Sequence, residues 1–115
     1  MVIDWESELT RAALPRAVLT ALSDRQQHGY AMLEHLRSYG FERTKGGTLY
    51  PLLRRLEEQG LVDHAWEHDS AGPGRKVFSL TLLGRQELER SVLAWDHMLT
   101  TLAGLQNGNG KPHEL

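Results

Sequence analysis

The sequence predicts a mainly α-helical domain with a small β-hairpin, ordered helix, helix, helix, hairpin, helix. Three observations predict it. Leu49, Leu52, Leu53 and Leu56 recur at i, i+3, i+4 and i+7, the apolar face of an amphipathic helix. Two strand-like runs, 61–67 and 76–80, enclose a polar Gly/Pro-rich loop over 68–75. Leu88, Val92, Trp95, Leu99 and Leu102 follow at alternating steps of four and three, the seam of a helix packing on another helix.

The first helix is expected over 8–23, with Leu14, Val18, Leu19 and Leu22 on one stripe. Pro15 lies inside that stripe, so the helix either starts near it or bends there. Residues 24–27 read as a turn. A second helix over 28–39 turns Met32, Leu33 and Leu36 inward and ends at Gly40. Thr48 or Gly47 is placed to cap the third helix, Pro51 suits its first turn, and Gly60 stops it. The last helix starts at Thr81 or just after and reaches about Leu105. The tail from Gln106, rich in Gly and Asn, reads as frayed. This is the order of a winged helix-turn-helix over 1–81, with one C-terminal dimerisation helix over 82–105 and a flexible tail over 106–115.

With 115 residues, 40% of them hydrophobic and 24% charged, the chain is one soluble domain's worth of protein. It has no cysteine, which removes disulfides, thiolate metal sites and thiol nucleophiles. No apolar run has the length of a membrane span, and the acidic start Met1-Val2-Ile3-Asp4-Trp5-Glu6 lacks the features of a secretory signal; a cytoplasmic protein with no membrane partner is expected. No Ser/His/Asp arrangement, phosphate loop or pair of acids stands at a catalytic spacing, so neither an enzyme nor a cofactor is expected. His64 and His68 fall on one side of a strand, which raises a metal sensor; without a third ligand they read as surface residues, and no metal is expected.

The net charge of −2 opposes a nucleic-acid binder judged on composition alone, so the local distribution of cations decides. A helix entering the major groove offers its N-terminal residues to base edges and its free amides to phosphates. Here that end reads Lys45-Gly46-Gly47-Thr48-Leu49-Tyr50: a phosphate charge, two glycines for close approach, a hydroxyl and a phenol. Gly46-Gly47-Thr48 serves equally as a plain helix cap, and Tyr50 as a packing ring. Tyr30, on the supporting helix, either sets its hydroxyl on a phosphate or packs, with His28 as a cap. Arg75 and Lys76 stand at the hairpin tip, where a wing along the minor groove needs positive side chains. With Arg43, Arg54 and Arg55 they are expected to form a basic surface within a net acidic chain.

Three stretches carry a resemblance: His28-Gly29-Tyr30; the run from Gly47-Thr48-Leu49-Tyr50-Pro51 through Gln59-Gly60-Leu61-Val62; and Gly74-Arg75-Lys76-Val77-Phe78-Ser79-Leu80-Thr81-Leu82-Leu83-Gly84. In their order and spacing they resemble the PadR family of transcriptional regulators over roughly residues 10–105. The single C-terminal helix is similar to the family's smaller branch, which includes multidrug-responsive repressors with a Trp at the place of Trp95. The resemblance implies a homodimer joined through the first and last helices, with Leu14, Val18, Leu88, Val92, Trp95, Leu99 and Leu102 at the interface. It implies binding to a palindromic operator on double-stranded DNA, and repression released by a small molecule. Trp95 then either anchors the dimer or stacks on a planar aromatic or cationic effector, with Asp96 and Met98 beside it. The chain departs from the family pattern at Val77-Phe78, where two aromatics are common, and at Pro15-Arg16 in the first helix. The rival reading is a winged-helix adaptor for protein contacts that binds no DNA.

Overall fold

The computed structural model describes residues 2–68 and 72–108. Helix α1 is Trp5–Asp24, three residues longer at its start than periodicity predicts. Asp4 caps it, accepting from the Ser7 amide (3.2 Å) and the Ser7 hydroxyl (2.8 Å), with Glu6 and Glu8 in the first turn. These bonds, together with the nearby Arg43, hold the Asp4 carboxyl below its ordinary pKa. The helix does not start at Pro15 but runs through it. The missing N–H removes one bond, while Leu14, Val18, Leu19, Ala21 and Leu22 bury the stripe on either side.

Gln27, expected in the turn, and His28, expected to open the second helix, instead form strand β1, Gln27–His28. It pairs antiparallel with β3, Gln27 opposite Phe78 and His28 opposite Val77. Gln27 is buried; its side-chain amide donates to the Ala21 carbonyl (2.9 Å). Helix α2, Gly29–Ser38, presents Met32, Leu33 and Leu36 to the core. His28 is its N-cap residue, as expected, but makes no side-chain cap bond.

Helix α3, Gly46–Glu58, starts earlier than expected, and its N-cap is Lys45. Gly47 and Thr48 therefore sit inside the first turn and are not the cap. Gly60, with φ of 79°, ends the helix in the left-handed conformation and turns the chain into β2, Val62–Glu67. Strand β3, Arg75–Leu80, pairs with β2 from Val62–Leu80 to Glu67–Arg75, so the hairpin becomes a three-stranded sheet ordered β1-β3-β2. Of the loop expected over 68–75, residues 69–71 lie outside the described residues.

Helix α4, Leu82–Gln106, is capped by Thr81, whose hydroxyl accepts from the Gly84 amide (2.9 Å) and donates to the Gly60 carbonyl (2.6 Å). The expected tail thus begins with a residue still helical; 109–115 lie outside the described residues. One core joins α1, α2, α3 and the sheet. It takes in Leu14 and Val18, 3% and 0% exposed, so the side-chain area expected to meet a partner is already buried inside the subunit. Along α4, Leu88 packs on that core, Val92 and Trp95 are half-buried, and Leu99 and Leu102 stand exposed. No helix among the described residues is long and apolar enough to cross a membrane.

Candidate nucleic-acid interface

Burying Leu49, Leu52, Leu53 and Leu56 dictates what α3 shows to solvent: Gly47, Thr48, Tyr50, Pro51, Arg54, Arg55 and Glu58, with Lys45 just ahead of them. The N-terminus of α3 has no side-chain cap and no acidic residue in its first turn. Its first amides and the positive end of its dipole are therefore open to an anion.

A cleft of about 360 Å³ separates α3 from the wing. It gathers five of the eight residues expected to meet DNA: Tyr30, Tyr50 and Arg54 from the helices, and Arg75 and Lys76 from β3. Gly47 and Thr48 open instead onto a hollow of about 610 Å³ beside the start of α1, and Lys45 lines neither space. Tyr50 takes the packing role while keeping part of its ring on the surface. A Cβ on Gly29 would lie 2.5 Å from its Cε1, and one on Gly46 3.1 Å from its Cε2, so the ring seats α3 on α2 against two glycines. The residue still remains exposed on the cleft. Tyr30 is exposed, and its hydroxyl donates to Glu34 (3.3 Å).

The basic surface differs from expectation in one member. Arg43 is ion-paired to Asp4 and Glu6 at the start of α1; chiefly its bond to Glu6 raises its pKa. Its charge is thus spent within the chain. Among the described residues, Lys45, Arg54, Arg55, Arg75 and Lys76 make no ion pair.

Two further residues, neither expected at the interface, belong to this region. Trp66 stands directly opposite Lys76 in the sheet, exposed on the cleft wall, with the Lys76 ammonium 5.8 Å from its ring centroid. Alternation along the strand signalled its side, but only the register supplies its partner. His28 joins wing and body: Nδ1 donates to the Lys76 carbonyl (3.1 Å), and Nε2 meets the Glu67 carboxylate (3.1 Å).

Trp95 lines a separate, mostly apolar groove of about 550 Å³ with Ala13, Ala17, Leu36, Tyr39 and Phe41, edged by Arg16, Asp24 and His35. Asp96 and Met98 are not in its lining. Asp96 points about 100° round the helix from Trp95, and Met98, one turn further along, stands exposed beyond the groove. His64 does acquire carboxylate company, Glu57 and Asp63, whereas His68 stays out of that cluster.

Residues 18–90 match the family described as the transcriptional regulator PadR-like family. The chain is 33% identical over 106 residues to transcriptional regulator Rv3488 of Mycobacterium tuberculosis, an alignment covering 90% of this chain and 97% of that one. It is also similar to the crystal structure of a PadR family transcriptional regulator from Eggerthella lenta: 31% identity, TM-score 0.82, 89% and 88% of the two chains covered. A PadR-like regulator from Bacillus cereus gives 28% identity and a TM-score of 0.75, with 86% and 96% covered. These relatives are regulators rather than enzymes. The chain belongs to the PadR-like family of transcriptional regulators.

Proposed function

We propose that the protein is a homodimeric repressor that binds a palindromic operator with α3 in the major groove and the β2–β3 wing along the neighbouring minor groove. The observation that carries this reading is a set of cations without an ion pair among the described residues, Lys45, Arg54, Arg55, Arg75 and Lys76, on α3 and the wing of a chain whose net charge is −2. Charge so collected is costly to keep together unless a polyanion meets it, and duplex phosphates are the fitting partner. The exposed Leu99 and Leu102 on α4 support pairing with a second copy, in which Val92 and Trp95 continue the same seam. Light scattering should give twice the chain mass, and fluorescence anisotropy with the upstream region of its own gene should show saturable binding that weakens steeply with salt. A monomer indifferent to every duplex at low salt removes the proposal and leaves the protein-adaptor reading.

An effector reading follows from Trp95. Its place in an apolar groove beside Asp24 suits a flat, cationic aromatic molecule. Such dyes should quench tryptophan emission, and Trp95→Ala should remove most of that response while Trp66→Ala does not. Equal quenching in both variants makes Trp95 an anchor only.

A further inference from the structure

We propose that Glu57, Asp63 and His64 form a site for one divalent first-row transition metal ion, of the zinc or cobalt type, joining α3 to the wing. Glu57 lies in the last turn of α3, and Asp63 and His64 are the second and third residues of β2. The reversal at Gly60 lays the strand back along the helix, so one ligand atom from each residue lies within 4.8 Å of the other two. Donors about 2.1 Å from a tetrahedral ion are spaced by roughly 3.4 Å, so side-chain adjustments of about an ångström close the triad. Two of the ligands are already held. The side chains of Glu57 and His64 are only 27% and 25% exposed and contact one another, and the imidazole is flanked by Phe78 and Trp66. The Asp63 carboxylate accepts from the His64 amide (2.8 Å), which orients it.

The donor set selects the ion. Two carboxylates and one imidazole suit zinc, cobalt, nickel or manganese, whereas calcium and magnesium prefer oxygen alone. Three protein ligands leave a further position for water. The carboxylates are not taken up by the neighbouring cations: Arg54, Arg75 and Lys76 line the same cleft as Glu57, yet among the described residues none pairs with Glu57 or Asp63. A bound dication neutralises those acids beside the cations of the cleft and cross-links helix to wing. The consequence, tighter DNA binding in the presence of the ion, rests on the repressor reading; the metal site itself does not.

The experiment uses the full chain, stripped with chelator, without DNA. Titration with Co²⁺, followed by visible absorption, and with Zn²⁺, followed by calorimetry, should give one ion per chain. Glu57→Gln, His64→Gln and the exposed Asp63→Asn should each weaken it at least about 10-fold, the lower end of what loss of even a supporting group costs. His68→Ala and His97→Ala should leave it unchanged, with circular dichroism showing every variant folded. Equal affinity in all variants, or no binding by the folded wild type, overturns the site and makes Glu57–His64 a plain ion pair. If the ion binds and operator affinity does not rise, the coupling is overturned; if no duplex binds at all, the fault lies with the repressor reading.

Discussion

Arg75→Ala should make the salt dependence of operator binding shallower by about 1.8 in the log–log slope. Each phosphate contact contributes about 0.9, and a dimer loses two contacts at once. Arg75 is suited to this role because nothing inside the described chain engages its charge. Its cross-strand neighbour Glu67 is held by His28, so the guanidinium is left facing solvent on the cleft. At physiological salt the loss should amount to roughly 10-fold or more in affinity, spread evenly over operator and unrelated DNA, as expected for a contact that reads charge and not sequence. Arg54→Ala should behave differently if the middle of α3 reaches base edges: about 1–3 kcal/mol lost on the operator, less on random duplex. Arg43→Ala is the informative control. Composition alone ranks it with the other arginines, but its ion pairs with Asp4 and Glu6 remove it from the DNA-facing charge, and its slope should match the wild type. A wild-type slope for Arg75→Ala, or a shallower one for Arg43→Ala, would show that the docking face lies elsewhere.

Gly84→Ala should be the most destabilising single methyl in the molecule, costing about 2–4 kcal/mol. Gly84 is buried in the first turn of α4, and a Cβ there would overlap the Leu61 carbonyl oxygen and crowd the Leu80 side chain. The obstacle is backbone in the turn joining α3 to β2, which cannot swing aside as a side-chain end would. Pushing α4 outward also strains the Thr81 bonds to Gly60 and Gly84, both made by one hydroxyl. For a chain of this size, each kcal/mol corresponds to about 4 °C of melting temperature, so thermal unfolding should shift down by roughly 8–16 °C. Gly47→Ala is the counterpart: a Cβ there meets nothing, and the residue lies within α3, so stability should rise by up to about 1 kcal/mol. If Gly84→Ala melts like the wild type, the packing of α4 on the Leu61 turn is not as described.

Much of this architecture is legible from local pattern. Leucine spacing marks α3, the Gly/Pro-rich loop marks the wing, and Thr81 and Gly60 mark helix ends, because each signal lies within a few residues of the structure it specifies. The candidate DNA face is legible for the same reason: its cations lie on one helix and one hairpin. Three things were not. Strand β1 is only two residues long and exists because β3, some fifty residues later, offers it a ladder. Pattern alone left open whether a helix starts at Pro15 or passes it, and the core contacts of the leucines around it carry the helix through. Leu14 and Val18 show the same periodicity whether an apolar stripe faces its own core or a partner.

The sequence by itself therefore determined the fold class, the order of its elements and the helix and hairpin that carry the cations. Only the tertiary structure decided which charges stay available and which are cancelled. It paired Arg43 with Asp4 and Glu6, laid Tyr50 across Gly29, and brought Glu57 up to His64. The physical reason is reach: backbone preference and amphipathic period act over a turn or two of chain, whereas electrostatic and steric partners are chosen by distances in space that no local pattern encodes.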